Sequence, residues 1–404
     1  MPSSISSSED VALLERDVPG ARAPLEAPRE TAADRPGEAQ PVPVRPIPPQ
    51  PWGRILLAAT LLFAAALGAW ERAMRREQLL PADYSLDPSG WAAKRRLVDA
   101  GQAAVVIVGD SRILFDTDLA RFEALTGVRP VQLALPGSSG LCMLEDLAAD
   151  PDFRGVAIVG VADMIYFRPG PGGLVVDALK RYHDEGPSQR SGHALGRALE
   201  SQLGFIDPAY RLSRLLADAD RGWREGARSG YYRPWKVFEV DADGQVALWP
   251  RIETDERVRA QVQAGWMGPP DRPARTLPPA AIADGIERSR KAVAAIRARG
   301  GDVVLVRPPS SGPLLDRESS VLPRSRGWDP LLAATGVSGV HFADHADLRV
   351  LPVPEWSHLN RRCATVFTDV YVRALAASTK ALPLRADAPA PLTARACMPR
   401  STAG

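Results

Sequence analysis

The sequence predicts an α/β protein, a three-layer sandwich in which helices cover both faces of a central parallel sheet. Three observations lead to this class. Short, uninterrupted apolar runs recur along the chain, and such runs are typical of strands buried on both faces. Helical patterns separate successive runs, as the crossovers between parallel strands require. The first runs lead into loops of small residues, which often follow the carboxyl ends of strands in these sheets.

The individual elements follow in chain order. Apolar runs predict four strands, at residues 103–108, 131–135, 156–161 and 303–306. Helical patterns lie between and after them, at residues 116–125, 141–149, 279–299 and 361–377. Gly127 is suited to end the first of these helices, because glycine adopts the left-handed conformation there without a steric penalty. Asn360 is suited to cap the last helix.

The alternation stops between residues 168 and 275, and we interpret this stretch as an insertion or cap. It contains helical patterns at residues 193–203 and 209–223 and a predicted hairpin with strands at 235–240 and 245–249. Half of the Trp and Tyr residues of the chain lie here, including Trp223, Tyr231, Tyr232, Trp235, Trp249 and Trp266. Two interpretations stay open: aromatic faces that pack against sugar rings, or a small aromatic core of the hairpin itself.

The first part of the chain differs in character. Residues 1–53 are predicted to be a disordered, proline-rich tail, because a segment of this composition cannot bury a core. Residues 54–71 are predicted to be a transmembrane anchor, since residues 55–70 are apolar and uncharged, with Trp52 and Trp70 at the ends. A buried core helix and a cleaved signal peptide are the alternatives. Lys and Arg are equally frequent on the two sides, so charge does not orient the segment.

Composition excludes several classes of protein. The net charge is +2 and the basic residues are scattered, so no nucleic-acid partner is expected. The three cysteines, Cys142, Cys363 and Cys397, form no CxxC pair, which excludes a disulfide scaffold and a thiolate zinc site. His341 and His345 are four residues apart, but no third histidine or cysteine ligand is nearby. We therefore expect no metal site and no cofactor.

Two loops at the predicted sheet edge carry candidate catalytic groups. The first strand runs into Gly109-Asp110-Ser111-Arg112, which places a serine hydroxyl at the carboxyl end of a buried strand. The second strand is followed by Gly137, whose backbone N–H is a candidate donor to an oxyanion. Taken alone, each loop is also what an ordinary turn contains.

Glu355 and His358 form the third candidate element. A carboxylate three residues before a histidine can lie beside it on one turn and orient the imidazole ring. The imidazole then takes a proton from a serine, and the carboxylate stabilises the resulting cation. Taken alone, this spacing is typical of a surface ion pair.

Together these elements resemble the SGNH/GDSL hydrolase superfamily. Gly109-Asp110-Ser111 is similar to its first block and Gly137 to its second. Glu355-x-x-His358 is similar to its last block, with glutamate in place of aspartate. The resemblance implies that Ser111 is the nucleophile, that His358 is the general base and that Glu355 orients it. It also implies a flavodoxin-like sandwich over residues 78–380, split by the insertion at 168–275 and followed by a flexible tail at 381–404.

The chain departs from the family in the third block, Gly-x-Asn-Asp, which aligns with residues 160–163. Ala162 stands where the family has its oxyanion asparagine, and Asn360 is the only asparagine in the chain. Loss of one oxyanion donor typically lowers turnover about a hundred- to thousandfold. The Ser111 and Gly137 backbone amides, or a substitute donor such as Arg112, are the candidates to compensate. The predicted oxyanion and substrate-binding residues are Gly137, Arg112, Asp110, Ala162 and Asp163.

The resemblance also implies a function. A serine–histidine–carboxylate set transfers acyl groups through an acyl-enzyme. The anchored domain with its long insertion resembles, in architecture, the accessory proteins of alginate O-acetylation and of D-alanine transfer to teichoic acid, which work beside a membrane-bound O-acyltransferase. We therefore expect an anchored O-acyltransferase or esterase acting on a cell-surface or periplasmic glycan, with its C-terminal domain outside the cytoplasm. The alternative is a catalytically degenerate binding or scaffold protein of a polysaccharide modification complex.

Overall fold

The computed structural model describes seven stretches of the chain. They are residues 50–76, 86–170, 172–206, 216, 236–241, 243–268 and 276–398. Most of the predicted proline-rich tail and most of the predicted helix at 209–223 lie outside these residues. The strands in the described part are β1 (Val105–Val108), β2 (Val131–Gln132), β3 (Val156–Gly160), β4 (Phe238–Val240), β5 (Val246–Leu248), β6 (Asp302–Arg307) and β7 (Gly339–His341).

The helices of the same residues alternate with these strands. They are α1 (Trp52–Arg76), α2 (Pro88–Asp99), α3 (Ser111–Asp116), α4 (Leu119–Thr126), α5 (Gly140–Ala149), α6 (Asp163–Tyr166), α7 (Val175–Asp184), α8 (Pro187–Glu200), α9 (Arg251–Thr254), α10 (Glu256–Met267), α11 (Pro279–Ala298), α12 (Gly312–Val321), α13 (Trp328–Thr335), α14 (Ala346–Arg349) and α15 (Arg361–Ser378). Short 3₁₀ turns connect several of them.

Five strands form one parallel sheet in the order β2-β1-β3-β6-β7. Every residue of β1 is buried, and in β3 and β6 only the first residue is partly exposed. A strand buried on both faces has no water-facing side, which is why these strands are continuous apolar runs. The four predicted strands are confirmed. β7 was not predicted, because Gly339-Val340-His341 contains one apolar side chain and no apolar run.

Helices pack on both faces of this sheet, as predicted. On one face, Ile107 of β1 shares a hydrophobic cluster with Phe122 of α4 and Phe367 of α15. On the other face, Val106 of β1 shares a second cluster with Val293 of α11, together with residues of α2, α5 and α13. Neighbouring strand residues therefore point into different cores, as the two-residue period of a strand requires.

The predicted helix at 116–125 corresponds to α4 (Leu119–Thr126), and a separate helix that was not predicted, α3, ends just before it at Asp116. Thr117 between them is extended, with φ −98° and ψ 116°. The Asp118 carboxylate accepts a hydrogen bond from the Arg121 N–H at 2.9 Å and caps α4. This side chain competes with the helical backbone pattern and restarts the helix. The consequence for the site is that a separate helix, α3, begins at Ser111.

The described part of the insertion contains the predicted hairpin. Strands β4 and β5 pair antiparallel, with Phe238 opposite Leu248. Trp249 is fully buried in a small cluster with Ile252 and Val262. For Trp249 this favours the interpretation as a core residue of the insertion over a sugar-binding face. Trp223, Tyr231, Tyr232 and Trp235 lie outside the described residues.

The C-terminal segment differs from the flexible tail predicted for residues 381–404. Up to residue 398 it packs against α15, and Leu382 and Ala394 are buried. A disulfide joins Cys363 of α15 to Cys397, with 5.1 Å between the Cα atoms. Cysteine counting excluded a scaffold of several disulfides but not this single bond. The packing explains the difference, because a cross-linked segment with its own apolar contacts is ordered.

Helix α1 is long and apolar enough to cross a bilayer, with a mean hydropathy of 1.7 over its most apolar window. Its 25 residues correspond to about 37 Å at the rise of an α-helix. None of its residues is buried, and this does not fit the alternative of a core helix. The predicted anchor at residues 54–71 lies within it.

Candidate active site

Ser111 lies where β1 ends and α3 begins. Gly109 makes the turn at φ +149°, and a Cβ at this position would lie 2.6 Å from Ile113 and 3.1 Å from the Gly160 Cα. Only glycine fits there. The Asp110 carboxylate caps α3 by accepting from the Arg112 N–H at 3.2 Å, and burial raises the pKa of Asp110. The loop therefore fixes Ser111 in the first turn of a helix.

The structure brings Ser111, His358 and Glu355 together. The distance from His358 Nε2 to Ser111 Oγ is 2.9 Å, across 247 residues of sequence. On the other side of the ring, His358 Nδ1 lies 2.8 Å from Glu355 Oε1. The same oxygen accepts the His358 backbone N–H at 2.6 Å. Glu355 and His358 are completely buried, whereas Ser111 keeps 9% of its surface exposed.

The turn that joins Glu355 to His358 has an unusual backbone. Trp356 has φ +75°, and it is the only non-glycine residue with positive φ in the described part of the chain. Such a conformation costs about 1–3 kcal/mol and persists only where the surroundings impose it. The Trp356 carbonyl accepts the Ser311 N–H at 3.0 Å, which ties the turn to the loop after β6. The strained backbone of Trp356 thus turns the chain so that the Glu355 carboxylate lies against the His358 imidazole.

Aromatic rings enclose the imidazole of His358. Phe115 of α3 stacks on it, with 4.3 Å between ring centroids and 28° between planes. Trp266 of the insertion approaches it edge-on, with centroids 5.4 Å apart. These contacts leave the ring few alternative orientations.

Gly137 and Ser111 are the predicted backbone donors to an oxyanion. Gly137 has φ +64°, which glycine adopts without strain. Its carbonyl accepts a hydrogen bond from Arg168 at 3.0 Å. Neither the Gly137 N–H nor the Ser111 N–H donates a hydrogen bond to another described residue. Their role toward an oxyanion stays a prediction.

Arg112 belongs to a buried chain of charges beside the triad. Its Nε donates to Ser357 Oγ at 3.3 Å, and its guanidinium pairs with Glu318 of α12. Glu318 also accepts from Arg307 at 2.9 Å, and Arg307 donates to Asp163 at 3.0 Å. Burial raises the pKa of Glu318, but Arg112 and Arg307 outweigh it and hold that pKa at about 2. Arg112 and Asp163 are thus part of the network of buried ion pairs beside the triad. Oxyanion binding by Arg112 stays a prediction.

Ala162 is buried at the start of α6 and offers no side-chain donor. The position that resembles the family's oxyanion asparagine is therefore filled by a methyl group.

Asp116 was not singled out by the sequence analysis. It lies fully buried at the end of α3, and its Oδ1 accepts the Leu359 N–H at 2.9 Å. Its Oδ2 has no hydrogen-bond partner among the described residues, and burial raises the pKa of Asp116 well above its ordinary value. The Asp116 carboxyl group thus fixes the backbone of Leu359, the residue that follows His358. No local sequence signal marks Asp116, because its hydrogen-bond partner Leu359 is 243 residues away in the chain.

The spacing of His341 and His345 does not gather metal ligands. No group of three candidate ligands occurs in the described residues. The His341 ring packs between Trp328 and Phe342, and its Nδ1 accepts the Ala343 N–H at 3.1 Å. Burial and two nearby arginines lower the pKa of His341 to about 4. It is a packed core histidine.

No protein-family model matches the chain, and no curated protein matches it. The geometry of the site is therefore the basis for the function proposed below.

Proposed function

We propose that the chain is a serine-dependent acyl-ester enzyme, an O-acyltransferase or esterase of the SGNH type. The observation that supports this most is the continuous chain from Ser111 through His358 to Glu355. An accidental surface pair at Glu355 and His358 would have no reason to be completely buried or to meet a serine 247 residues away. The serine also follows a parallel strand at the carboxyl edge of the sheet, where α/β proteins place their sites.

The proposed reaction has two halves. Ser111 Oγ attacks the ester carbonyl and gives its proton to His358 Nε2, while Glu355 stabilises the imidazolium. The Ser111 and Gly137 N–H groups receive the oxyanion. The ester C–O bond then breaks, and the leaving alkoxide takes the proton from His358. In the second half, water or a sugar hydroxyl attacks the acyl-serine, His358 accepts its proton, and Ser111 is released with its own proton restored.

A glycan acceptor at a membrane surface is part of the proposal. The membrane-spanning length of α1 supports an anchored enzyme. The insertion supports a substrate larger than a simple ester, because one of its aromatic residues, Trp266, packs against His358 of the triad. The substrate class is then a cell-surface or periplasmic glycan, and a membrane-bound O-acyltransferase is the proposed partner.

One observation favours a second candidate, a non-catalytic binding or scaffold protein on the same fold. Ala162 supplies no side-chain oxyanion donor. The two candidates differ in whether Ser111 reacts.

A fluorophosphonate probe tests this difference, because it forms a covalent bond to an activated serine oxygen with loss of fluoride. We expect labelling of the purified protein at Ser111, mapped by mass spectrometry, and loss of labelling in His358→Ala. Ser311→Ala is the matched control: this serine also follows a strand at the same edge, but its hydroxyl donates to Val353 O at 3.3 Å and bonds to no histidine of the described residues. An unlabelled Ser111, beside a control esterase that labels, would favour the scaffold candidate.

The disulfide supports an extracytoplasmic position for the body of the protein. Disulfides persist in oxidising compartments and are rare in the cytosol. We therefore expect one alkylated cysteine, Cys142, when cells are lysed in denaturant with iodoacetamide and no reductant. All three cysteines should be alkylated after reduction. Intact mass spectrometry counts the adducts, and three adducts without reductant would place the body in a reducing compartment.

A further inference from the structure

The insertion touches the catalytic carboxylate directly. Trp266, in the last turn of α10, donates its indole Nε1–H to Glu355 Oε2. The same ring packs edge-on against His358, at 66° between planes. One side chain from outside the sandwich thus contacts two of the three proposed catalytic residues.

The Glu355 carboxylate has few donors available. Its Oε1 receives both hydrogen bonds from His358, one from the backbone N–H and one from the ring. Its Oε2 receives the Trp266 indole and no other hydrogen bond from the described residues. Glu355 is completely buried, and a buried carboxylate oxygen without a donor is costly. Without Trp266, the unpaired carboxylate oxygen would therefore be stabilised if the group rotated toward another donor or if water entered beside it.

Other contacts hold α10 in place independently of this bond. Gln263, one turn earlier on α10, donates to Pro354 O at 3.2 Å. Arg317 of α12 donates to Met267 O at 3.0 Å at the end of the same helix. Trp266 therefore lies on a helix that is fixed on both sides of it, so its indole is oriented before it meets the carboxylate.

We propose that Trp266 is a positioning residue for the reaction. Its N–H fixes the Glu355 carboxylate in the plane that meets His358 Nδ1, and through Glu355 it sets the orientation of the imidazole toward Ser111. The inference rests on the proposed function and adds that the sandwich alone does not hold a complete site. The insertion supplies part of the site through Trp266.

The decisive variant is Trp266→Phe, which keeps an aromatic side chain at this position but removes the N–H together with the second ring of the indole. We expect kcat on a small activated ester to fall about 10- to 30-fold with KM changed less than about twofold, because the hydrogen bond that is lost is made to a buried catalytic carboxylate. Gln263→Ala is the matched control. This substitution removes the hydrogen bond from α10 to Pro354 O but none of the hydrogen bonds of the Glu355 carboxylate. We expect it to change kcat by less than about twofold.

A second measurement does not depend on activity. A His358 ring proton held between Nδ1 and a carboxylate gives an NMR resonance far downfield, in a region free of ordinary amides. We expect this resonance in the wild type and in Gln263→Ala, and its loss or broadening in Trp266→Phe at equal thermal stability. A wild type without esterase activity but with this pattern would refute the proposed function and leave the positioning intact. An unchanged resonance in Trp266→Phe, or equal losses of kcat in both variants, would refute the role of Trp266.

Discussion

Replacing Ser111 with alanine is expected to lower kcat on an activated ester by about 10⁴- to 10⁶-fold, the range found when one member of a catalytic triad is removed. The physical reason is that the reaction loses its nucleophile, while any oxyanion donors and binding contacts remain. The Ser111 side chain packs little volume, so the fold should tolerate the change. Steady-state kinetics with p-nitrophenyl acetate, beside a thermal melt of each variant, measures both effects.

The double variant Ser111→Ala/His358→Ala sharpens this test. Residues that act on one proton give strongly non-additive losses, so the double variant should be no slower than Ser111→Ala alone. Glu355→Gln keeps the shape of the carboxylate but not its charge, and we expect a smaller yet large loss. Additive losses at Ser111 and His358 would mean that the two residues do not share a step, contrary to the 2.9 Å contact between them.

Replacing Glu318 with alanine is expected to lower the free energy of unfolding by about 3–5 kcal/mol, which is typical when one partner of a buried ion pair is removed. The side chain is 5% exposed, and it is the carboxylate that lies between Arg112 and Arg307. Its removal leaves two buried cations close together with no charge between them. Urea unfolding followed by circular dichroism measures the change.

The dependence on pH follows from the same contacts. Glu318 has an ordinary pKa of 4.5, and in the fold its pKa is held at about 2. Its contribution to stability is therefore complete above about pH 4.5 and is lost as the pH falls toward 2. The difference between wild type and Glu318→Ala should shrink over this window. A constant difference would contradict the buried ion pair.

Glu287→Ala is the matched control for this experiment. A hydrogen bond from Arg290 also lowers the pKa of Glu287 to about 2, but this pair lies on the surface of α11. Solvent screens such a pair, so we expect no measurable change in the unfolding midpoint. A similar loss of stability in both variants would show that the contribution of Glu318 does not depend on its burial.

Much of the fold was predictable from local sequence. Burial on both faces requires unbroken apolar runs, so β1, β2, β3 and β6 were identified, and the hairpin in the insertion followed from its turn. Asp118 shows the limit of this reasoning, because its carboxylate accepts a hydrogen bond from the Arg121 N–H and starts α4 three residues later than predicted, separate from α3. The disulfide from Cys363 to Cys397 shows another, since cysteine spacing alone does not tell which thiols meet.

The sequence by itself determined the candidates at the site: a serine after a buried strand, and a carboxylate one turn before a histidine. These signals are local, since each depends on a few adjacent residues and the periodicity around them. Only the tertiary structure decided that Ser111 and His358 share a hydrogen bond, that Glu318 lies between two arginines, and that Trp266 reaches Glu355. The contact of Ser111 with His358 joins residues 247 positions apart, and that of Trp266 with Glu355 joins residues 89 positions apart. The contacts of Glu318 depend on a buried environment that no local pattern encodes. They form because parallel strands bring their carboxyl ends to one edge, and the packing of helices then selects which side chains meet there.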